Sequence, residues 1–317
     1  MKNKSLVLLS GEESPIPGAE AKALFLAYDP LSAFQAPERR IILADSVADP
    51  FVVGSRAAFS RRVGVLLSDP REANEYVRGK RVRVRSFDLR PQRPLEPGRT
   101  LSGVQAEVDL GGPDYELTVV RGEENYIALT APLKMRQGWS LRRPRRRAFF
   151  HPSAMFPKLS RALVNLSRVR EGGVLLDPFA GTGSIPIEAS IIGARAVAVD
   201  QASKMTLGSL ANMKGFCQEW LGVVRADSFT LPLTRADAVV TDVPYGRAST
   251  TYGVDRERVL DQALAESARV LRPGSRAVIM HAKDGSAMSS RAFATEEEHD
   301  LYVHKLLTRR ISILRRR

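Results

Sequence analysis

From residue 174 onward the chain repeats one unit: a short apolar run, then a turn or a helical stretch. Val174–Asp177, Ala196–Asp200, Val223–Asp227, Ala238–Asp242 and Arg276–His281 all have strand length, and four of the five end in an aspartate. Runs that are apolar along their whole length are strands buried on both faces, which requires helices above and below a parallel sheet. The fold class expected is therefore α/β, with a doubly wound, mostly parallel sheet in the C-terminal part. Leu301–Leu307 and Ile311–Leu314, separated by Thr308-Arg309-Arg310, predict a terminal hairpin that closes the sheet with an antiparallel strand.

The N-terminal part has a different texture. Ser5–Leu9, Arg40–Leu43, Arg62–Leu67, Arg81–Phe87, Glu116–Arg121 and Tyr126–Thr130 predict strands, with helices over Ala19–Ala27 and Phe51–Phe59. A chain of 317 residues favours two domains. The division expected is residues 1–133, a basic linker over 134–149, and residues 150–317. The linker contains Arg136, Arg142, Arg143, Arg145, Arg146 and Arg147, with Gly138 and Pro144 and no acid. An exposed hinge has this composition, and so does a strip that contacts backbone phosphates. The balance of 48 Lys and Arg against 35 Asp and Glu, net charge +13, favours the phosphate strip.

Several function classes drop out. No run reaches the roughly 18 apolar residues of a spanning helix, and Leu6–Leu9 is too short for a signal-peptide core. Cys217 stands alone, and His151, His281, His299 and His304 are scattered without ligand spacing, so neither a disulfide framework nor a metal site is expected. The expectation is a soluble cytoplasmic chain that meets nucleic acid rather than membrane.

The residues after the first C-terminal strand carry chemistry. Asp177-Pro178-Phe179-Ala180-Gly181-Thr182-Gly183 leads into a helix predicted to begin near Ile185. Two glycines allow a tight turn and close backbone approach to a ligand at the carboxyl end of a strand. Neither a G-x-G-x-x-G fingerprint nor a Gly-Lys-Ser/Thr loop is present, which argues for a ligand with a free ammonium rather than a pyrophosphate. Asp177 suits that ammonium, Asp200 the two hydroxyls of a ribose, and Asp227 an adenine amino group. One strand-end Asp is ordinarily a turn or helix cap. Three in succession beside a Gly loop predict an S-adenosylmethionine pocket. His151 and Pro152, in Phe149-Phe150-His151-Pro152, are candidates for the wall of its methionine end.

Thr241-Asp242-Val243-Pro244-Tyr245-Gly246 ends the fourth strand. An amino nitrogen conjugated to a base ring is a poor nucleophile because its lone pair is delocalised. The Asp242 carboxylate and the Val243 carbonyl can accept its two N–H groups and localise that pair. Pro244 stiffens the loop, and Tyr245 can stack on a base turned out of its helix. Adenine N6, cytosine N4 and guanine N2 pose the same problem, so the residues alone leave the base open. DNA and a catalytically impaired RNA-binding module also remain alternatives.

These stretches resemble the THUMP-domain tRNA guanine-N2 methyltransferases, and within them the archaeal-type tRNA (guanine-10-N2)-dimethyltransferase family. The resemblance rests on Leu9-Ser10-Gly11-Glu12, Arg143-Pro144 with Phe149-Phe150-His151-Pro152, and Pro157-Lys158-Leu159 with Ala162–Leu166. It continues through Asp177–Gly183, Asp200 with Met205 and Asn212, Asp242–Arg247, and His304-Lys305 with Leu307-Thr308-Arg309. It implies a ferredoxin-like plus THUMP N-terminal region of α+β type that grips tRNA. It also implies a Rossmann-like catalytic domain, with guanine 10 of tRNA as target and one or two methyl groups added. No activating subunit is indicated. The family usually shows two prolines in the catalytic loop; here the first is Val243, which leaves that position's role to its carbonyl.

Overall fold

The computed structural model describes residues 3–91, 96, 100–132, 138–217, 219–244, 256–283, 290–304 and 307–317. The chain forms two compact units, Met1–Glu13 with Pro17–Gln137, and Ser14–Ile16 with Gly138–Arg317.

In the N-terminal part the elements run β1 (Asn3–Leu9), α1 (Ile16–Tyr28), β2 (Ala33–Glu38), β3 (Ile41–Ser46), α2 (Pro50–Arg56) and β4 (Ser60–Leu67). They continue with α3 (Asn74–Val77), β5 (Arg81–Asp88), β6 (Glu107–Val108), β7 (Tyr115–Arg121) and β8 (Asn125–Thr130). The strands form one sheet in the order β2-β3-β1-β4-β8-β7-β5-β6. The first four strands and two helices give a ferredoxin-like β-α-β-β-α-β unit with antiparallel neighbours. β1 is central because both its faces are apolar. Val7 and Leu9 pack with Leu24, Phe25 and Val53, while Leu6 and Leu8 pack with Val120, Tyr126 and Ala128. β2 and β6 were not expected, since both are largely exposed and β2 contains Pro37, which is tolerated at the sheet edge. The arginine-rich strands have a local account. Glu116 is buried and accepts from Arg62 at 2.7 Å and from Arg83, with Arg85 at 3.4 Å.

The C-terminal elements are α4 (Pro157–Leu166), β9 (Val174–Asp177), α5 (Ser184–Ile191), β10 (Arg195–Asp200), α6 (Ser203–Phe216) and β11 (Gly222–Arg225). Then follow β12 (Ala236–Asp242), α7 (Arg256–Val270), β13 (Leu271–Ala282), β14 (Phe293–His304) and β15 (Leu307–Arg316). The sheet order is β11-β10-β9-β12-β13-β15-β14. β9 to β13 pair in parallel, and β15 lies antiparallel between β13 and β14. This is the expected Rossmann-like sheet. Its core gathers Leu176, Val197, Val199, Val239 and Ile279. The order reverses between β9 and β12, so the carboxyl ends of these two strands flank the crevice where ligands of open α/β sheets bind.

Two boundaries differ from expectation. Thr308, Arg309 and Arg310 are not a turn but lie within β15, paired with Tyr302, Leu301 and Asp300. The stretch from Gly138 is part of the C-terminal unit rather than a linker, for reasons that lie in its arginines.

Candidate active site

The Gly loop follows β9 directly. Gly181 and Gly183 have φ of +51° and +79°, the left-handed region that favours glycine. α5 starts at Ser184, one residue before the expected position. A Cβ on Gly183 would stand 2.5 Å from Ser209 Oγ on α6, so that hydroxyl would have to turn away to admit a side chain. A Cβ on Gly181 would meet nothing within 4 Å, so the loop opens onto space at that residue. The Phe179 N–H donates to Asp177 Oδ1 at 3.2 Å, and the Ala180 N–H to the Val199 carbonyl at 2.9 Å. Thr182 is buried, with its hydroxyl 3.2 Å from Ser184 Oγ.

Asp200 holds the loop from the side. Its Oδ2 accepts from the Gly181 N–H and its Oδ1 from the Ala202 N–H, each at 2.9 Å. Each carboxylate oxygen keeps a further lone pair, as recognition of a diol requires. Burial raises its pKa. Asp227 sits differently. β11 ends at Arg225, and Asp227 is exposed beyond it, accepting from the Phe229 N–H at 3.0 Å as a turn cap.

Asp177 and Asp242 end the two strands that flank the switch point, and Thr241 links them. Its hydroxyl donates to Asp177 Oδ1 at 2.7 Å. Burial pushes Asp177 up to about 7, and the like charges of Asp200 and Asp242 act in the same direction. Asp242 is pushed up to about 6 by burial, opposed by the Arg309 guanidinium. Arg309 Nη1 donates to Asp242 Oδ2 at 3.1 Å. Asp242 Oδ1 is buried and has no hydrogen-bond partner among the described residues. Such an acceptor costs free energy unless a donor arrives.

Val243 is buried, and its N–H donates to the Met280 carbonyl at 2.9 Å, extending the β12–β13 ladder by one bond. A proline at this position would have no N–H to give. The loop is thus tied down by a hydrogen bond at the position where the resemblance implies a proline. Pro244 is half-buried, and Tyr245 lies outside the described residues.

The segment before α4 is fastened to the Gly loop by Asn212 on α6. Asn212 Oδ1 accepts from the Phe149 N–H at 2.8 Å, and its Nδ2 donates to the carbonyls of Phe149 at 3.0 Å and Thr182 at 2.9 Å. Gly208, one turn earlier, leaves room for the Phe149 ring. His151 is half-buried, with Nδ1 2.7 Å from Ser153 Oγ, and Pro152 is exposed.

The arginine stretch requires a correction. Arg142 and Arg147 are buried and cannot meet phosphate. Arg142 Nε donates to Glu188 Oε1 and Arg161 Nη2 to Glu188 Oε2, both at 2.7 Å, and both guanidinium groups lie against the Trp139 ring. Arg147 donates to Ser184 Oγ at 2.6 Å, to the Met155 carbonyl at 3.1 Å and to the Arg142 carbonyl at 2.9 Å. These residues fasten the segment to the start of α5. Arg143, Arg145 and Arg146 are exposed, and Arg145 stacks over Phe150 at 5.2 Å; Arg136 lies outside the described residues.

Residue reasoning did not assign roles to Thr241, Arg309, Asn212 or Glu188. Asn212 and Arg309 were signalled only by the resemblance, and Glu188 carried no signal within its apolar helix. Among the described residues, no helix is long and apolar enough to cross a membrane.

Residues 144–310 match the family described as RMKL-like, methyltransferase domain. The chain is 31% identical to the tRNA (guanine(10)-N2)-dimethyltransferase of Methanothermobacter thermautotrophicus, over 98% of this chain and 99% of that protein. It is 34% identical to the protein of the same name from Methanocaldococcus jannaschii, over 67% of this chain and 60% of that one. Among solved structures, TrmN from Thermus thermophilus has a similar fold at 18% identity and a TM-score of 0.52, covering 99% of this chain and 100% of that one.

Proposed function

We infer the reaction from one premise: this chain belongs to the family of tRNA (guanine(10)-N2)-dimethyltransferases. It is a methyltransferase that adds one or two methyl groups to the exocyclic N2 of a guanine in tRNA, with guanine 10 as the target. tRNA is the partner, held by the N-terminal region over residues 1–133 and by the exposed arginines Arg143, Arg145 and Arg146. The cytoplasm is where such a substrate is met.

The donor is S-adenosylmethionine, and the residues present fit it. Asp177 is a buried carboxylate raised to about 7 that a cationic ligand would relieve. Gly181 faces open space that a Cβ would enter. Asp177 would hold the ammonium, Asp200 the ribose hydroxyls and Asp227 the adenine amino group, with His151 and Pro152 beside the methionine end. When bound, S-adenosylmethionine supplies an electrophilic methyl group.

The chain's own work is to hold the guanine amino group. Asp242 Oδ1 accepts one N–H and the Val243 carbonyl the other, so the nitrogen lone pair is freed from the ring and aimed. Methylation of a neutral amine leaves one proton in excess, and Asp242 Oδ1 is placed to take it on its way to water. Tyr245 is assigned the stacking contact by its place in the sequence. The gain comes from orientation and fixed electrostatics rather than from strong base catalysis.

The single observation that carries this reading is the buried, unpartnered Oδ1 of Asp242 at the carboxyl end of β12. Incubation with methyl-labelled S-adenosylmethionine and a tRNA transcript, followed by digestion to nucleosides, tests it. Label is expected in N2-methylated guanosine, and Asp242→Ala should abolish incorporation while tRNA affinity stays within about twofold. Label in N6-methyladenosine, or incorporation into DNA alone, would overturn the assignment.

A further inference from the structure

Asp242 has two oxygens in unlike situations. Oδ2 accepts from Arg309 Nη1 at 3.1 Å, and Oδ1 is buried without a hydrogen-bond partner among the described residues. Arg309 comes from β15, the antiparallel strand inserted between β13 and β14, and its backbone is paired with Ala282 on one side and Leu301 on the other. Its guanidinium also lies 3.9 Å from Met280 Sδ, on the residue whose carbonyl receives the Val243 N–H. One side chain therefore touches the acid, and its neighbour Met280 anchors the next residue of the same loop.

We propose that Arg309 is the positioning residue of the catalytic loop: it holds Asp242 Oδ2 so that Oδ1 alone faces the amino group, and it keeps the carboxylate ionised. This rests on the assignment of Asp242 as the acceptor of the substrate N–H.

The charges around Asp242 support the role. From β9, Asp177 faces it, and its negative charge raises the cost of a second ionised acid in the same crevice. His281 on β13 is turned to the Ala282 carbonyl at 3.0 Å and to Ser312 Oγ at 3.3 Å. Arg310 and Lys283 are both bonded to Asp300. Among the described residues Arg309 is thus the cation whose guanidinium meets Asp242, and it acts against the burial that pushes the acid up to about 6. Geometry matters alongside charge. A guanidinium is a rigid planar fork, so a bond to one carboxylate oxygen also fixes the direction of the other.

Two substitutions separate charge from shape. Arg309→Gln keeps a donor and removes the cation; Arg309→Lys keeps the cation and removes the fork. The first readout needs no cofactor: a carbonyl-carbon NMR titration of the free protein, with the Asp242 resonance identified by its loss in Asp242→Asn. Arg309→Gln should move that titration upward by about one pH unit or more, a change of about tenfold in the ionised fraction below neutrality, and Arg309→Lys should restore most of it. The second readout is kcat/KM against pH. In Arg309→Gln its acid limb should follow the NMR shift, while Arg309→Lys should keep the limb near the wild-type pH with a lower plateau. Thermal melts identify the folded variants, and Arg309→Lys carries the test alone if the glutamine variant does not fold. An unshifted Asp242 titration in Arg309→Gln would overturn the proposal, as would full activity in either variant. If Asp242→Asn itself remains active, the assignment of Asp242 fails instead, and the two failures are distinguishable.

Discussion

Replacing Asp177 by asparagine should make the ligand-free protein more stable at pH 8 and a poor binder of the proposed cofactor. Asparagine keeps the size and the Oδ1 acceptor used by Thr241 and the Phe179 N–H. What it removes is a charge that folding has to bury. Asp177 titrates at about 7 in the fold against an ordinary value of 3.8. A carboxyl whose folded value is raised contributes its full stability below the unfolded value, and that contribution is lost as pH rises through the folded one. Across the whole window the loss amounts to about 4 kcal/mol as an upper bound, of which about 2.5 kcal/mol falls between pH 5 and pH 8. Urea titrations of both proteins at pH 5 and pH 8, without ligand, read it directly. The stability gap should widen toward pH 8 in favour of Asp177→Asn. Calorimetry should meanwhile show S-adenosylmethionine affinity reduced about 10–100-fold, the worth of one charge-assisted hydrogen bond. A gap that is the same at both pH values, or unimpaired cofactor binding, would refute the idea that this acid is held in readiness for a cation.

The exposed arginines should act through salt. Arg145→Ala with Arg146→Ala is expected to lower the slope of log affinity for tRNA against log salt by about 1–2, and an unchanged slope would retire the phosphate contact. Glu188→Ala should cost about 3–5 kcal/mol in urea unfolding, because it strands two buried guanidinium groups, Arg142 and Arg161; a loss below about 1 kcal/mol would contradict that. Val243→Pro would introduce the proline that the resemblance implies yet delete the N–H bonded to Met280. It should lower stability by about 1 kcal/mol and reduce kcat, and a variant as stable and active as wild type would show that this bond is dispensable.

The parallel strands could be read in advance because burial on both faces leaves them no polar positions, and the boundaries of β9 match the residues expected. β2 and β6 could not, because edge strands carry exposed side chains and their backbone bonds leave no mark on composition. The strand-end places of the Gly loop, Asp177, Asp200 and Asp242 were legible because an acid or a glycine pair after an apolar run marks where a buried strand stops. The arginines show the limit of that approach. Charge counting treats Arg142, Arg145 and Arg147 alike, yet Glu188 and Trp139, distant in sequence from one another, take Arg142 into the interior. Arg309 was hidden for a related reason. Read as part of a turn, it had no neighbour; placed in β15, it meets an acid 67 residues earlier.

That placement has a consequence for a growing chain. β14 is paired only with β15 among the described strands, and the arginine against Asp242 is on β15 as well. A nascent polypeptide that has emerged only as far as β14 therefore carries the Gly loop and the acid loop but lacks β15, which seats β14 beside β13 and brings Arg309 to Asp242.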